Sequence, residues 1–323
     1  MKNGLEREVV ILMTDMVQYS RKSLGMKPEE IRDFLIQYHG EIHAILYREE
    51  HFPLEIEPSA GDGCLVIFEK RPGEDRSGVC TRALQAGLRI ADAISRGDLA
   101  PTRMWILLGR IIEAQLGTRM AKFGASFAVA NRLEELCGHF GTHLLMDREV
   151  AKYQQGFDRY LVSIAKVSLT SVEHPINIFT LYIPGLQNCP TDVQEARLLE
   201  FIRMKNQAME YFGGNQLLGI VPDFPRVREE LLQVKNLFRT ITGREDLAIE
   251  RILALEVGGD GPAFGRELRV VVELDIELHA ADAGQVVLAR IEEHAVEELR
   301  GGVERGRVAG AQLAVDFQQR FVL

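Results

Sequence analysis

The chain has 323 residues, of which 46% are hydrophobic and 26% are charged. This is the composition of an ordinary globular protein, and the length is sufficient for two domains. The formal net charge of -9 argues against a nucleic-acid-binding protein, because such proteins carry a basic face. No basic segment followed by an apolar one opens the sequence, and the apolar run Val9–Met13 is too short to cross a bilayer. We therefore expect a cytoplasmic protein without a membrane span.

Strand and helix patterns alternate along the first 183 residues. The predicted elements, in chain order, are a strand at Glu8–Met16, a helix at Lys27–Glu50, a hairpin of Pro53–Ile56 and Gly63–Phe68, a helix at Gly78–Ile94, a strand at Thr102–Ile112, a helix at Ala125–Cys137, and strands at Thr142–Met146 and Ile176–Ile183. This order predicts a mixed α/β sandwich and not a parallel doubly wound sheet.

The composition shifts to Pro, Gly and polar residues at Tyr182–Asp192, which is typical of a domain boundary. We therefore predict one domain at residues 1–185 and a regulatory or dimerisation region at residues 186–323, which could bind a protein partner. The elements predicted for this second region are three helices within residues 192–257, at Asp192–Phe212, Asp223–Thr240 and Arg244–Val257, and a β-α-β unit within residues 267–322.

Two aspartates follow or precede predicted strands in a way that raises a chemical question. In "VVILMTDMVQYS" an apolar strand ends at Asp15, and in "SAGDGCLVIF" Asp62 lies between two glycines immediately before a strand. Two strands that each present one carboxylate at a turn could hold a divalent metal between them. Asp-Gly is also a common pair in ordinary surface turns. Both interpretations are compatible with these residues alone.

The segments "ILMTDMVQYSR", "AGDGCLVIF" and "FGASFAVANRLEEL", in this order, resemble the catalytic domain of class III nucleotidyl cyclases. The resemblance covers about Glu8–Ile183 and implies a mixed sheet with flanking helices. It also implies that Asp15, Asp62 and the backbone carbonyl of Met16 hold two Mg²⁺ or Mn²⁺ ions. Such ions would activate the ribose 3′-oxygen of a nucleoside triphosphate and neutralise its phosphates. Gly61 and Gly63 would allow a tight turn beside them.

The same resemblance implies that Arg132, on the helix "FGASFAVANRLEEL", reaches into the site of a partner subunit and stabilises charge at the α-phosphate. A surface arginine paired with Glu134 or Glu135 is the alternative. Because Arg132 cannot reach Asp15 of its own chain in this alignment, we expect a homodimer. The helix Ala125–Cys137 and the hairpin Pro53–Phe68 should line its interface.

Several positions depart from the family pattern. Its helix asparagine aligns with Ala128, and Asn131, about 60° further round the helix, is a candidate substitute in substrate binding. The two residues that read a purine base are replaced by Pro58 and Ala121, and a transition-state lysine aligns loosely with Thr170. Lys122 could contact a phosphate or a different base, or it could be an exposed loop lysine.

Two functions compete. The first is a pseudo-cyclase, a catalytically impaired signalling protein that acts as a nucleotide-binding or regulatory dimer. The alternative is an active cyclase that forms a 3′,5′-cyclic nucleotide and pyrophosphate with a non-standard base, including a pyrimidine.

A separate pattern, "HGEIH", places His39 and His43 one helical turn apart. Without further ligands we interpret that pair as a solvated helix face.

Overall fold

The computed structural model describes residues 5–59, 62–116, 118–167, 175–186, 189–214 and 218–255. They belong to one compact unit, which includes both the sheet and the three helices that follow it. The predicted boundary between a domain at residues 1–185 and a regulatory or dimerisation region at residues 186–323 therefore stays a prediction. The β-α-β unit predicted within residues 267–322 and the end of the third predicted helix lie outside the described residues.

The strands are β1 (Leu5–Met16), β2 (Glu55–Ser59), β3 (Gly63–Phe68), β4 (Thr102–Leu116), β5 (Arg119–Phe123), β6 (Leu144–Asp147), β7 (Leu161–Val167) and β8 (Ile176–Leu181). The helices are α1 (Tyr19–Ser23), α2 (Pro28–Leu46), α3 (Arg76–Arg96), α4 (Ala125–Phe140), α5 (Arg148–Tyr153), α6 (Glu195–Gly213), α7 (Phe224–Thr242) and α8 (Leu247–Leu255). None of these described helices has both the length and the apolar character needed to span a membrane.

The strands form one mixed sheet in the order β2-β3-β1-β4-β6-β8-β7, and β5 pairs with β4 alone. Strand β1 lies between β3 and β4 and is antiparallel to both, whereas β4 and β6 are parallel. The predicted mixed sheet with flanking helices is therefore confirmed. The β1 register places Thr14 opposite Cys64 on one side and Asp15 opposite Arg103 on the other.

Both faces of the sheet are covered. On one face a continuous core joins β1 side chains such as Val10 and Leu12 to Tyr38 and Ile42 of α2 and to the buried side of α3. Because side chains alternate along a strand, Ile11 faces the opposite way, and it is fully buried as well. Helix α4 packs against β1 and β4. Strands buried on both faces have continuous apolar sequences, as in "VVILM".

Four elements of the sheet domain are absent from the sequence-based prediction. They are α1, β5, α5 and β7. Strand β4 runs four residues beyond Ile112 and returns as β5, which forms a two-stranded ribbon at the edge of the sheet. Each strand of this ribbon is only about five residues long and several of its apolar side chains are exposed, so its periodicity does not distinguish it from a loop. Helix α5 is one turn and a half, too short to show a helical repeat.

Helices α6, α7 and α8 pack onto the sheet domain through β7 and α4. Helix α8 approaches the end of α4 so closely that a Cβ atom on Gly141, the left-handed residue that ends α4, would lie 2.5 Å from Cδ2 of Leu247. A side chain at Gly141 would therefore both strain the backbone and collide with α8.

A buried ion pair links the helices to the end of the sheet. Lys205 of α6 is fully buried, and its Nζ atom lies 2.8 Å from Oδ2 of Asp246, which is 1% exposed. The hydroxyl of Tyr182, just after β8, donates to the same carboxylate oxygen at 2.7 Å. Burial lowers the pKa of Lys205, and Asp246 opposes this shift. The pair is thus stabilised by mutual contact and not by water.

We predict that Lys205→Met destabilises the fold by about 3–5 kcal/mol, because it leaves the carboxylate of Asp246 buried without its cation. Urea denaturation of the two proteins would measure this loss. The matched control is Arg197→Met on the same helix, whose ion pair with Glu200 is exposed and should be worth at most about 1 kcal/mol. Equal losses for the two variants would contradict the structural role of Lys205.

Candidate functional site

The two predicted metal ligands lie where β1 ends and β3 begins. Asp15 is the second-last residue of β1, and Asp62 immediately precedes β3. The strand register holds these points together, and the backbone N–H of Cys64 donates to Oγ1 of Thr14 at 3.0 Å. The glycine that precedes Asp62, Gly61, lies outside the described residues.

The carboxyl group of Asp62 is 7% exposed and makes a hydrogen bond with the side chain of Asp15. It also accepts hydrogen bonds from its own backbone N–H and from that of Met16. Burial raises the pKa of Asp62, and these hydrogen bonds only partly offset the effect. A hydrogen bond between two carboxyl groups requires a proton on one of them, so in this contact the pair shares one proton and carries a single negative charge. The structure therefore brings Asp15 and Asp62 together.

Gly63 permits this contact. A Cβ atom at Gly63 would lie 2.5 Å from the backbone oxygen of Thr14 and 3.0 Å from that of Ser59. Backbone atoms cannot rotate away as a side chain would, so any larger residue must push the hairpin away from β1. The second glycine of "GDG" is therefore required by close backbone approach.

His39 belongs to this site, and the sequence analysis missed it. Its Nδ1 atom lies 3.2 Å from Sγ of Cys64, and its positive charge lowers the pKa of Asp62. It therefore faces the aspartate pair from α2 and is not part of a solvated pair with His43. No signal in the local sequence identifies it, because its role depends on α2 lying beside Cys64.

Lys122 makes two contacts within its own chain. Its Nζ atom lies 2.6 Å from Oε2 of Glu55 and 2.9 Å from Oε1 of Glu57, and its side chain is 10% exposed. Burial lowers the pKa of Lys122, but the two glutamates outweigh it and the net pKa is raised. Because Glu55 and Glu57 belong to β2, four strands away from β5 in the sheet order, the ribbon curls back over the sheet. A substrate contact of Lys122 stays a prediction that requires these ion pairs to open.

The remaining predicted residues are located by the helix or strand to which each belongs. Arg132 and Asn131 lie in the middle of α4, and their side chains lie outside the described part of the structure. Pro58 of β2 pairs with Cys64, next to the aspartates, and Ala121 of β5 pairs with Ala114. Thr170 falls in the undescribed segment 168–174. The roles of Arg132 and Asn131 stay predictions.

Two carboxylates and a nearby backbone form a donor set of oxygen atoms, which suits a hard divalent cation. In the described ranges, no group of three or more His, Cys, Asp and Glu residues converges in a geometry that could hold a metal. Any side-chain ligation of a metal here would thus rest on Asp15 and Asp62. The N–H of Met16 donates to Asp62, and a metal contact of its carbonyl stays a prediction.

We predict that Gly63→Ala displaces the hairpin from β1 and costs about 1–3 kcal/mol of folding free energy, because its Cβ atom would overlap a backbone oxygen. Thermal or urea unfolding would measure this cost. Gly40→Ala is the control, since nothing lies within 4 Å of a Cβ atom there and alanine favours a helix interior. A Gly63→Ala protein as stable as the wild type would contradict the close approach.

Comparisons with known proteins give structural matches only: no family model and no curated protein matches the chain. The adenylyl cyclase CyaB from P. aeruginosa matches at 18% identity and a TM-score of 0.47, over 56% of this chain and 96% of that one. The guanylyl cyclase Cya2 matches at 21% identity and a TM-score of 0.42, over 55% and 93%. A bacterial light-regulated adenylyl cyclase matches at 17% identity and a TM-score of 0.46, over 62% and 57%.

These solved structures are adenylyl and guanylyl cyclases, the kind of protein that the sequence motifs of this chain resemble. The identities are below 25% and the TM-scores below 0.5, so the functional proposals that follow rest on the residues of this chain.

Proposed function

We propose that residues 1–185 form a divergent class III cyclase-like domain that binds a nucleoside triphosphate together with Mg²⁺ or Mn²⁺ at Asp15 and Asp62. We further propose that it acts as a catalytically impaired signalling dimer. The observation that carries the proposal is the hydrogen bond between the buried carboxyl group of Asp62 and that of Asp15. Two carboxyl groups held in contact at the ends of neighbouring strands need a cation between them once both are ionised.

The chain's own residues suit that cation. A divalent ion bound here would neutralise phosphate charge and lower the pKa of a ribose hydroxyl. Asp15 and Asp62 would hold it, and the backbone of Met16 would supply a further oxygen. Gly63 keeps the backbone of the hairpin against β1. His39 of α2 also favours ionised Asp62, because its charged form lowers the pKa of Asp62.

The residues around the pair support impaired catalysis with purine nucleotides. Pro58 and Ala121 stand where the family reads the base, and Lys122, next to Ala121 in the chain, is engaged by two glutamates. Ala128 and Thr170 stand where the family stabilises the transition state. Each lost donor of that kind costs about 10²–10³ in rate, although such losses are not additive within one site.

The alternative is an active cyclase with a non-standard base preference, including a pyrimidine. It is favoured by the aspartate pair itself and by Arg132 on α4, the two parts that any such reaction would need. A pyrimidine nucleotide would not require the purine-reading residues that Pro58 and Ala121 replace. The two functions differ in whether a product is formed.

A dimer is part of the proposal, and the ribbon of β4 and β5 supports it. Ile112 and Phe123 are paired across the two strands, so they lie on one face, and Leu116 follows on the same face. These side chains are 45%, 47% and 68% exposed. A contiguous apolar face on an edge ribbon is typical of a surface that binds another chain.

We predict that Mn²⁺ makes the protein bind at least one nucleoside triphosphate, and that Asp62→Asn abolishes this binding. Ligand at ten times its dissociation constant should stabilise the fold by about 1.4 kcal/mol. Thermal unfolding with ATP, GTP, CTP and UTP, each with Mn²⁺ and with EDTA, would measure the shift, and mass spectrometry would detect a cyclic product. Binding without product supports the pseudo-cyclase, and a product from CTP or UTP supports the alternative.

Asp62→Asn also has a predicted effect without ligand. Because the pKa of Asp62 is raised in the folded protein, its contribution to stability falls as the pH rises from the ordinary carboxyl pKa through the raised one. At neutral pH the asparagine variant should thus be at least as stable as the wild type. Asp33→Asn, an exposed aspartate of α2, is the control. Unchanged nucleotide binding in Asp62→Asn would overturn the metal site.

We predict that Leu116→Glu combined with Phe123→Glu weakens self-association, because the charges must lose water when the two ribbons meet. Sedimentation velocity over a concentration series should show a dimer for the wild type and a monomer for the variant. Val221→Glu, at an exposed apolar residue of another segment, should leave the dimer intact. A wild-type monomer at every concentration, with and without nucleotide, would remove the dimer from the proposal.

A further inference from the structure

A separate cleft of about 810 Å³ opens between α3 and the segment that follows β8. It shares no residue with the aspartate pair. Its lining includes the side chains of His51, Leu88, Arg89, Phe157, Ile183 and Leu186. Its volume lies within the range of small-molecule sites, about 300–1,000 Å³.

His51 is an unsatisfied polar side chain in the wall of this cleft. It is 1% exposed, and neither ring nitrogen has a hydrogen-bond partner. The nearest acidic atom, Oε1 of Glu50, lies 3.6 Å from Nε2, beyond hydrogen-bonding distance. A buried donor and acceptor without partners are costly to the folded state. An acceptor group of a ligand in the cleft would satisfy the donor.

The charges around His51 are mainly positive. Burial lowers the pKa of His51, and the guanidinium groups of Arg89, Arg48 and Arg82 lower it further, while Glu50 opposes them. The imidazole is therefore neutral at neutral pH and offers one N–H donor and one acceptor.

The arginines of α3 differ in whether they are already engaged. Arg82 is held by Glu74 at 2.6 Å and by backbone carbonyls. Arg96, which also lines the cleft, pairs with Asp92 and Asp98. Arg89 is exposed and makes no ion pair with any residue of the described chain. It is the cation of this helix that an incoming anion can engage without displacing a carboxylate.

The rest of the lining contains an apolar patch. Leu88 of α3 lies on one side, and Ile183, Pro184 and Leu186 lie on the other, with the aromatic ring of Phe157 among them. These residues are partly exposed. Polar side chains complete the lining, and of its two carboxylates Asp92 is paired with Arg96 and Glu50 faces His51. Within the described lining, the apolar patch, the unpaired guanidinium of Arg89 and the neutral imidazole match a molecule that has an apolar body and one anionic end.

We propose that this cleft binds a small organic carboxylate whose apolar body packs against Leu88, Phe157 and Ile183 and whose carboxylate contacts Arg89 and His51. The site is independent of the proposed nucleotide chemistry. Arg89 supplies a charge-assisted contact, and the N–H of His51 donates to the carboxylate, which satisfies the donor of the buried ring.

Three matched probes test the proposal with the full chain: 3-phenylpropanoate, 3-phenylpropan-1-ol and 3-phenylpropylamine. They share one apolar body and differ in charge. Isothermal titration calorimetry should show saturable binding of the carboxylate, with the alcohol at least about tenfold weaker, the difference expected for a charge-assisted contact. Tighter binding of the amine would mean that the carboxylate of Glu50 determines which charge the cleft binds, and it would overturn the proposal. The proposal would also be overturned if no probe binds, or if the acid and the alcohol bind equally.

Two variants locate the contact. Arg89→Gln should weaken binding of 3-phenylpropanoate about tenfold, whereas the matched control Arg96→Gln, whose guanidinium is already paired, should change it much less. His51→Phe removes both ring nitrogens and should abolish the preference for acid over alcohol while leaving the melting temperature without ligand equal or higher. Equal effects of the two arginine variants, or a preference that survives His51→Phe, would refute the assignment.

Discussion

The candidate metal site depends on how closely the start of β3 approaches the end of β1. The backbone oxygen of Thr14 lies against the Cα atom of Gly63, and the hydroxyl of Thr14 accepts from the next backbone N–H, that of Cys64. This leaves no space for a side chain between the strands. Because β1 is also paired with β4 along its whole length, it cannot shift to relieve the crowding, so the hairpin position and the aspartate separation are set together.

The same closeness makes the site costly to the folded protein. Asp62 is buried beside a second carboxyl group, and burial raises its pKa. An arrangement selected for stability alone would place an amide or an apolar residue there. Local conflict with stability is a common property of functional sites. The buried pair of Lys205 and Asp246 is different, because each charge there has its counter-charge within the chain.

The sequence predicted most of the sheet and the position of the aspartates, because β1 and β3 have apolar runs that end at polar turn residues. It did not predict β5 or β7, whose short strands have little apolar periodicity. It also missed the contacts of Lys122 and His39. Both depend on which elements meet in space: the ribbon must curl over β2, and α2 must lie beside Cys64. Neither relation is encoded by local spacing.

The contact of α8 with α4 has a mechanical consequence. Leu247 begins α8 and lies against Gly141, the residue that caps the helix that carries Arg132. Asp246, one residue earlier, forms an ion pair with Lys205 of α6 and accepts a hydrogen bond from Tyr182, just after β8. Both contacts lie at the start of α8, so a displacement of this end of the helix is resisted by α6 and Tyr182 and is transmitted to α4. The orientation of α4 therefore depends on its contact with α8 as well as on its packing against β1 and β4.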